Sequence, residues 1–260
     1  MNEPLQTLDR KWKSTCRAVL GGEIGGMDSY SGYLSLHLEP SGECQSELSK
    51  KKVMFFAQGF RPGAKFISND EREQYDKMLR GKKLNINKIK DIDSIVAALG
   101  ENFYYAGNII TGNSREVEDA DACSNSSFIY KSYEIYDSKY VAYSDAMNFG
   151  ECVFGSNWIA ETKFAIKTYE THKIARCFET MRIAMCSDCY YSAAVEGCSN
   201  CLFSFNQRNR HNLVGNMEFP RAEFEALKSK LLSEIRETLV AKKAVPTIVE
   251  IIGGKNGKGN

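Results

Sequence analysis

The sequence predicts a mainly β fold: a β-solenoid with about twelve residues per coil, preceded by a small α+β domain and followed by a C-terminal capping helix. Three observations carry this prediction. A residue of restricted type recurs at every third position from about Ser126 to Gln207, the pattern repeats most cleanly every twelve residues, and both flanks lack it. Sustained self-similarity is typical of stacked repeat folds. The period matches neither a helix nor simple strand alternation.

The three-residue recurrence alternates between small and aliphatic side chains. The small series is Ser126, Ser132, Ser138, Ser144, Gly150, Ser156, Thr162, Thr168, Ile174, Thr180, Cys186, Ser192, Cys198 and Ser204. The aliphatic series is Ile129, Ile135, Val141, Met147, Val153, Ile159, Ala165, Thr171, Cys177, Ile183, Cys189, Val195 and Cys201. A narrow core leaves no room for Leu or Phe at inward positions, and inward hydroxyl groups can bond backbone groups along the stack.

The coil length follows from stacking the sequence at longer periods. At twelve residues one column contains only hydroxyl side chains: Ser132, Ser144, Ser156, Thr168, Thr180, Ser192 and Ser204. A second column is entirely apolar or aromatic: Tyr130, Ala142, Phe154, Ile166, Phe178, Tyr190 and Leu202. The column six residues away from the second is mixed: Tyr136, Asn148, Ala160, His172, Ala184, Glu196 and Arg208. Each coil therefore directs four side chains inward, and about seven or eight coils stack with their backbones ~4.8 Å apart.

Residues 1–105 lack the repeat and predict the small α+β domain. The expected elements are a helix over Thr7 to Val19, a hairpin or helix over Met27 to Leu38, a strand over Val53 to Ala57 with Lys65 to Ser68 as a possible partner, a helix over Glu71 to Leu79 and a helix over Asp91 to Leu99. Ser68 caps the third helical segment, and Gly100 ends the last one. The solenoid is assigned to residues 106–212, with a starting point that is uncertain by one coil.

Residues 213–252 predict a C-terminal helix and a possible strand. The helix starts at Pro220 and carries apolar residues at helical spacing: Phe224, Leu227, Leu231, Leu232, Ile235 and Leu239. It serves as a cap or docking element, because a solenoid needs covered ends. Val245 to Ile252 is the possible strand, and residues 253–260 form a flexible tail by composition.

Composition places the chain among ordinary globular proteins. It has 260 residues, 34 basic and 33 acidic side chains, a net charge of +1 and 43% hydrophobic residues, which excludes a collagen, a coiled coil and a disordered chain. Near-zero charge argues against a dedicated nucleic-acid binder. No apolar run is long enough to span a membrane, and the N-terminus lacks the core of a signal peptide. The nine cysteines, an odd number, favour a reducing, cytoplasmic setting.

Two Cys-x-x-Cys pairs form the sharpest chemical motif. Cys186, Cys189, Cys198 and Cys201 would stack in adjacent coils, with Cys186 over Cys198 and Cys189 over Cys201. Four converging thiolates suggest a zinc site or, less often, an iron–sulfur site. The competing interpretations are that cysteine is another small core residue, or that the thiols serve in a disulfide or redox role. Cys177 continues the second column, which favours the core-filling interpretation.

The repeat period resembles that of the insect antifreeze proteins with twelve-residue coils, but this chain has no Thr-x-Thr column for ice binding. The last third also resembles uncharacterised cysteine-rich period-three solenoid proteins of archaea, uncultured bacteria and large phages, often labelled caib/baif family. Cys-x-x-Cys steps lead into Arg208 to Asn212, then Asn216 to Phe219, then a helix. Phe219 stands where those proteins have tyrosine, and the cysteines are fewer. The resemblance implies a solenoid and carries no established activity.

Four further motifs admit a functional and a structural interpretation. A β-helix acyltransferase is the enzyme alternative, with His172 as a conceivable base, although the hexapeptide template of that class fails here. Gly21 to Gly26 looks like a phosphate loop but lacks the Gly-Lys-Ser/Thr ending. The basic clusters are Lys50 to Lys52, Lys82 with Lys83, and Arg208 with Arg210 and His211; they fit a solvated surface or an anionic partner. Eight aromatic residues fall outside the inward phase: Tyr133, Tyr140, Tyr143, Phe149, Trp158, Phe164, Tyr169 and Tyr191.

The sequence hypothesis for function is a non-enzymatic scaffold or docking protein, a rigid solenoid within a larger assembly of protein subunits. It rests on the regular rod and on the outward aromatic residues, which would mark a protein interface if they were contiguous and exposed. A metal-binding module at the four cysteines, with zinc as the candidate cofactor, and a solenoid transferase are the alternatives. Neither a membrane nor nucleic acid is an expected partner.

Overall fold

The computed structural model describes residues 2–56, 59–60, 63–83, 85–100 and 102–253. It confirms the predicted fold class: a β-solenoid of about nine turns with coils of about twelve residues, an N-terminal α/β region and a C-terminal helix. The N-terminal region consists of α1 (Glu3–Leu20), a 3₁₀ turn (Met27–Tyr30), α2 (Ser31–Leu34), β1 (Ser41–Gln45), β2 (Lys52–Phe56), β3 (Lys65–Ser68), a 3₁₀ turn (Asn69–Glu71), α3 (Arg72–Arg80), a 3₁₀ turn (Ile86–Lys88), α4 (Ile92–Gly100) and β4 (Tyr104–Gly107).

The solenoid strands follow in chain order, and two helices end the described chain. The strands are β5 (Ile110–Thr111), β6 (Arg115–Glu118), β7 (Asp121–Ser124), β8 (Ser127–Tyr130), β9 (Tyr133–Tyr136), β10 (Lys139–Ala142), β11 (Asp145–Asn148), β12 (Glu151–Phe154), β13 (Asn157–Ala160), β14 (Lys163–His172), β15 (Ala175–Ala184), β16 (Ser187–Glu196), β17 (Ser199–Leu202), β18 (Phe205–Arg208), β19 (His211–Val214) and β20 (Met217–Glu218). The helices are α5 (Arg221–Lys242) and α6 (Ile248–Gly253).

Neighbouring coils pair in parallel with a register of twelve residues, as the sequence predicts. Lys139 of β10 pairs with Ser127 of β8 on one side and with Glu151 of β12 on the other. On the second face of the coil, Asp145 pairs in the same way with Tyr133 and Asn157. The strands β14, β15 and β16 each continue across both faces, so the middle of the rod is wrapped by unbroken strands.

A left-handed backbone conformation recurs at every third residue and turns the chain at four corners per coil. In one coil Phe128, Lys131, Glu134 and Asp137 have φ between 44° and 57°. Residues other than glycine rarely adopt this region, which is disfavoured by about 1–2 kcal/mol per residue. The repeated strain persists because hydrogen bonds between coils fix the backbone on both sides of each corner.

Inward serines complete the hydrogen bonding between coils. The Ser144 hydroxyl donates to the carbonyl of Ala142 at 3.0 Å in its own coil and accepts the N–H of Ser156 at 3.2 Å from the next. Ser132 repeats the arrangement with Tyr130 and Ser144, at 2.8 and 3.1 Å. The hydroxyl therefore satisfies a backbone N–H that has no carbonyl partner at this position. This requirement explains why the small inward series is mostly serine and threonine rather than alanine.

Replacing Ser144 by alanine is expected to lower the free energy of unfolding by about 2–4 kcal/mol, because a buried N–H and a buried carbonyl both lose a partner. Chemical denaturation followed by circular dichroism measures the change. Ser127→Ala is the matched control on an outward, half-buried position of the same solenoid, with an expected change within about 0.5 kcal/mol. Equal stabilities of the two variants would contradict the ladder.

Helices α1 and α5 cover one side of the solenoid. The apolar twelve-residue column from Tyr130 to Leu202 faces outward and forms a stripe beneath them. Trp12 of α1 packs edge-on against Phe154 with ring centroids 5.3 Å apart, and Phe224 and Leu239 of α5 are buried in the same cluster. The sequence hypothesis placed residues 1–105 ahead of the solenoid; α1 instead lies beside the middle coils, since the exposed stripe requires an apolar cover.

Both ends of the rod are closed by polar contacts. At the first coils, Asn108 exchanges hydrogen bonds with the backbone of Met54, and Asp121 accepts the N–H groups of Phe56 and Ile109. At the last coil, β20 pairs antiparallel with β19, and Arg210 donates to Gln207 Oε1 at 2.7 Å. Covered ends leave less of the terminal backbone free for end-to-end association.

Two predicted details of the flanks are wrong. The strand Lys52–Phe56 pairs antiparallel with Ser41–Gln45, and Lys65–Ser68 pairs in parallel with Tyr104–Gly107 instead. The possible strand over Val245 to Ile252 is the helix α6, because Thr247 and Glu250 form a reciprocal cap at its start. The flexible tail predicted over 253–260 lies outside the described residues apart from Gly253, which ends α6. Within the described ranges, no helix combines the length and apolar character needed to cross a membrane.

Candidate docking surface

The four cysteines of the predicted metal site lie in two neighbouring inward columns. Cys189 pairs with Cys201 in register, and the N–H of Cys198 donates to Cys186 Sγ at 3.4 Å. Cys186 Sγ donates to the carbonyl of Ala184 at 3.1 Å, two residues earlier, as the inward serines do. Cys198 repeats the pattern by donating to Glu196 and accepting from Arg210. Cysteine therefore takes the place of serine in the ladder.

A metal site would require these thiols to surround a common point. Among the described residues, no group of three or more His, Cys, Asp or Glu side chains is placed to hold a metal ion. Hydrogen bonding to the thiols of Cys177, Cys186 and Cys201, followed by burial, holds the pKa of Cys189 well above its ordinary value. A hydrogen bond with Cys189 lowers the pKa of Cys186 at the same time, so the two thiols shift in opposite directions. The geometry favours the core-filling interpretation.

Chain purified under reducing conditions is expected to contain less than about half an equivalent of zinc or iron, because each sulfur already serves the ladder. Elemental analysis by mass spectrometry measures the content. Cys186→Ser keeps a hydrogen-bonding atom at the same position and provides the comparison. One full equivalent of metal in the wild type that disappears in Cys186→Ser would establish the zinc alternative.

Most of the outward aromatic residues pack against other parts of the chain and are not exposed to a partner. Tyr143 and Tyr191 are 2% and 4% exposed and pack with α1, α2 and α5. Tyr133 and Tyr169 are also buried, and Tyr140 and Phe164 are half-buried against the helix cluster. Of the eight aromatic residues singled out from the sequence, Phe149 and Trp158 remain exposed, at 59% and 63%. Six of these eight aromatic residues are therefore not available to a partner on the coils.

Two of the three basic clusters and the glycine-rich loop have structural roles. Lys51 pairs with Asp70, and Lys52 with Asp119 and Glu43. In the third cluster, Arg208 pairs with Glu196, and Arg210 and His211 contact Glu218. The loop over Gly21 to Gly26 ends α1: Gly21 has φ 77° and donates to Arg17, and the Gly25 carbonyl accepts from Trp12 Nε1 at 3.0 Å. Its backbone is therefore committed to closing the helix.

An apolar helix without a buried side chain stands out in the N-terminal region. We call the four residues Ile92, Ile95, Val96 and Leu99 of α4 the α4 surface. They follow the i, i+3, i+4, i+7 spacing that places side chains on one helix face. Ile92 is 78% exposed and Val96 47% exposed, and none of the side chains of α4 is buried. Exposed apolar patches are typical of protein interaction sites.

Basic side chains precede the α4 surface in sequence. Lys77, Lys82, Lys83 and Lys90 lie on α3 or between α3 and α4, and all four are exposed. Ile86, in the 3₁₀ turn before α4, is also 78% exposed. The segment before the apolar helix face therefore carries these four exposed lysines, while Asp91 and Asp93 lie at the start of α4 itself.

A buried pair of opposite charges fixes the N- and C-terminal segments to the rod. Glu179 of β15 accepts hydrogen bonds from the Tyr33 hydroxyl and from the N–H of Ile248, the latter at 2.7 Å. Lys167, one coil earlier, donates to the carbonyl of Leu36 at 2.6 Å and lies 5.4 Å from the ring centroids of both Tyr33 and Tyr169. Burial raises the pKa of Glu179 and lowers that of Lys167. The cluster therefore bonds both terminal segments to the coils.

Asp145 is expected to make the free energy of unfolding depend on pH. It is buried and accepts the N–H of Glu39 at 2.8 Å, and burial raises its pKa to about 7. A carboxyl whose pKa is raised on folding stabilises the folded state at low pH, and this contribution is lost as the pH rises through about 7. The free energy of unfolding is therefore expected to be higher at pH 5 than at pH 8.

Asp145→Asn is expected to reduce the difference in the free energy of unfolding between pH 5 and pH 8 by about 1–3 kcal/mol, since the amide cannot ionise. Denaturation curves at the two pH values measure it. The exposed Asp137→Asn is the control and leaves the dependence unchanged. An unaltered pH dependence in Asp145→Asn would contradict the assignment.

No family model matches this chain, and no curated protein matches it. The resemblance to cysteine-rich solenoid proteins therefore stays a prediction. Sequence reasoning missed the α4 surface because it treated Asp91 to Leu99 only as a helix. The signal was present: the segment from Ile92 to Leu99 has apolar residues at most positions and one charged residue, Asp93.

Proposed function

We propose that this chain is a non-enzymatic docking protein: a rigid β-solenoid that presents the α4 surface to another protein. The single observation that carries the proposal is the exposure of Ile92 and Val96 on a helix that buries none of its side chains. Burying such side chains contributes roughly 1.5–3 kcal/mol each, so four of them supply most of the free energy of a moderate interface. The scaffold role predicted from the sequence is the wider form of this proposal.

The partner is an amphipathic helix of another protein with acidic residues beside its apolar face. Helix spacing on α4 suits a second helix, since apolar residues at i, i+3, i+4 and i+7 interlock with the same pattern. Lys82, Lys83 and Lys90 supply positive charge at the border, and charge complementarity of this kind selects the partner and speeds association.

The double variant Ile92→Asp with Val96→Asp tests the proposal. Both side chains are largely exposed, so the folded state is expected to keep its stability within about 0.5 kcal/mol. Native pull-down with mass spectrometry identifies partners, and each is then made pure and its affinity measured at two salt concentrations. The proposal expects a partner whose binding segment is an acidic amphipathic helix, whose affinity falls at least tenfold in the double variant and decreases with salt.

Val240→Asp is the matched control: Val240 is 50% exposed on α5, away from the α4 surface, and its variant keeps full affinity. Three results would overturn the proposal. They are partners bound equally by wild type and the double variant, a wild-type dimer that the double variant abolishes in sedimentation, and flotation with anionic vesicles that depends on Ile92.

A further inference from the structure

We infer that the groove beside Trp158 is a binding site for a neutral saccharide, separate from the α4 surface. The groove has a volume of about 690 Å³ and lies between the outer faces of β13, β14 and β15 and the segment around His37. Its size falls within the range of small-molecule sites. The floor belongs to the rigid coils that Lys167 and Glu179 tie to the terminal segments.

Trp158 supplies the flat apolar platform of the groove. Its side chain is 63% exposed, so its ring is available to a ligand. The corner that it occupies does not need tryptophan: Ala146 and Ala194, at the same corner of other coils, have φ 47° and 54°, against 54° for Trp158. Alanine adopts the same backbone conformation at this corner, and the exposed Trp158 ring adds little packing to the coil. Stacking of the C–H face of a pyranose ring on an indole is the interaction that such a platform suits.

Polar groups that can orient hydroxyl groups line the same groove. Asn157 and Tyr169 are paired neighbours in adjacent coils, 8% and 5% exposed, and both line the groove. The Tyr169 hydroxyl is buried and has no hydrogen-bond partner among the described residues. A buried hydroxyl left without a partner is unfavourable by roughly 1–3 kcal/mol. Because this oxygen is enclosed, a ligand hydroxyl in the groove supplies the missing hydrogen bond only when the Tyr169 ring moves slightly outward.

The charges around the groove disfavour ionic ligands. The described lining carries the carboxylates of Glu39 and Glu170, the latter paired with Arg182, and neither lysine nor arginine, so it offers an anion such as a nucleotide no lysine or arginine contact. The buried ammonium of Lys167 lies 5.4 Å from the centroid of the Tyr169 ring, so a cationic ligand placed against that ring would approach a like charge. A ligand with a flat apolar face, several hydroxyl groups and no charge fits all of these groups.

Tryptophan fluorescence of the full chain tests the inference. Trp12 is 1% exposed, so a ligand-induced change in emission reports on Trp158. The probes are four neutral tetrasaccharides: maltotetraose, cellotetraose, xylotetraose and N-acetylchitotetraose. At least one is expected to shift the emission in a saturable manner with a dissociation constant below about 1 mM. A chitosan tetramer and a sulfated tetrasaccharide are the charged comparisons, with affinities expected to be at least tenfold weaker.

Three variants locate the site by calorimetry with the neutral tetrasaccharide that binds. Trp158→Ala is expected to abolish binding, and Tyr169→Phe, which removes only the hydroxyl, to weaken it at least fivefold. Phe149→Ala, another exposed aromatic position on the coils, leaves affinity unchanged. No binding by any neutral tetrasaccharide, tighter binding of a charged probe, or undiminished binding in Trp158→Ala would each overturn the inference.

Discussion

Insertion of one alanine between Ile166 and Lys167 is expected to prevent the chain from folding. These residues lie in the ten-residue strand β14, which pairs with β12 and β13 on one side and β15 on the other. One extra residue moves each following inward side chain out of its column until the register recovers, and it separates Lys167 from Glu179. We expect a loss above about 4 kcal/mol, seen as an absent cooperative transition in thermal and chemical denaturation.

The same insertion after Gly81 is the control for this experiment. Gly81 lies at the exposed end of α3, outside the coils, where surface loops tolerate insertions well. That variant is expected to unfold within about 1 kcal/mol of the wild type. If the insertion in β14 left a cooperative transition of similar midpoint, the strict twelve-residue register in the middle of the rod would be refuted.

Glu179→Ala is expected to lower the free energy of unfolding by about 3–5 kcal/mol, because buried Lys167 loses the carboxylate that favours its charged form while the Tyr33 hydroxyl and the N–H of Ile248 lose their acceptor. The hydrogen exchange of α6 is expected to accelerate as well, since Glu179 holds its first residue. Denaturation curves and hydrogen exchange with mass spectrometry measure the two effects.

Two companion variants separate charge from hydrogen bonding at this cluster. Glu179→Gln keeps an acceptor for Tyr33 and is expected to lose less than Glu179→Ala. Lys167→Met combined with Glu179→Leu removes both charges and is expected to recover much of the stability, because a buried pair is often replaceable by apolar residues. A loss below about 1 kcal/mol in Glu179→Ala would show that the cluster does not hold the terminal segments.

The coil register is readable from the sequence because a narrow core restricts every third side chain. Ser132, Ser144 and Ser156 must each satisfy a backbone N–H of the next coil, so the column tolerates little else. The exception at Gly150 has a local cause: a Cβ atom there would lie 2.2 Å from Met147 Sδ. The three-residue period predicts a small residue at position 150, but only the structure shows that the Met147 side chain excludes a larger one.

The flanks were harder to predict because their positions depend on surfaces rather than on periodicity. The outward column from Tyr130 to Leu202 was recognised only as evidence for the period, yet it is the stripe that recruits α1 and α5. Lys167 and Glu179 occupy successive positions of one twelve-residue column. Two charged residues there indicate a buried polar contact, which the sequence analysis did not consider. The left-handed corners were hidden because Phe128, Trp158 and Phe164 occupy positions where glycine or asparagine is usual.

At the candidate sites too, some features follow from the repeat period and others need the three-dimensional structure. The stacking of Cys186 over Cys198 and of Cys189 over Cys201 follows from the period, but the choice between metal and ladder needed the hydrogen bonds of each sulfur. Trp158 was one of eight outward aromatic residues in the sequence. Only the placement of the helices showed which of them are covered and which remain exposed.

The distance between two equivalent corners six coils apart tests the central claim most directly. Asp137 and Asn209 are exposed at the same corner, seventy-two residues apart, and of the nine cysteines only Cys44 is not buried. Spin labels at Asp137→Cys and Asn209→Cys, in a chain that also carries Cys44→Ser, report the distance by pulsed electron resonance. Twelve residues per coil predict about 29 Å, from six steps of ~4.8 Å. A distance near 19 or 58 Å, as coils of about eighteen or six residues would give, would contradict the solenoid described above.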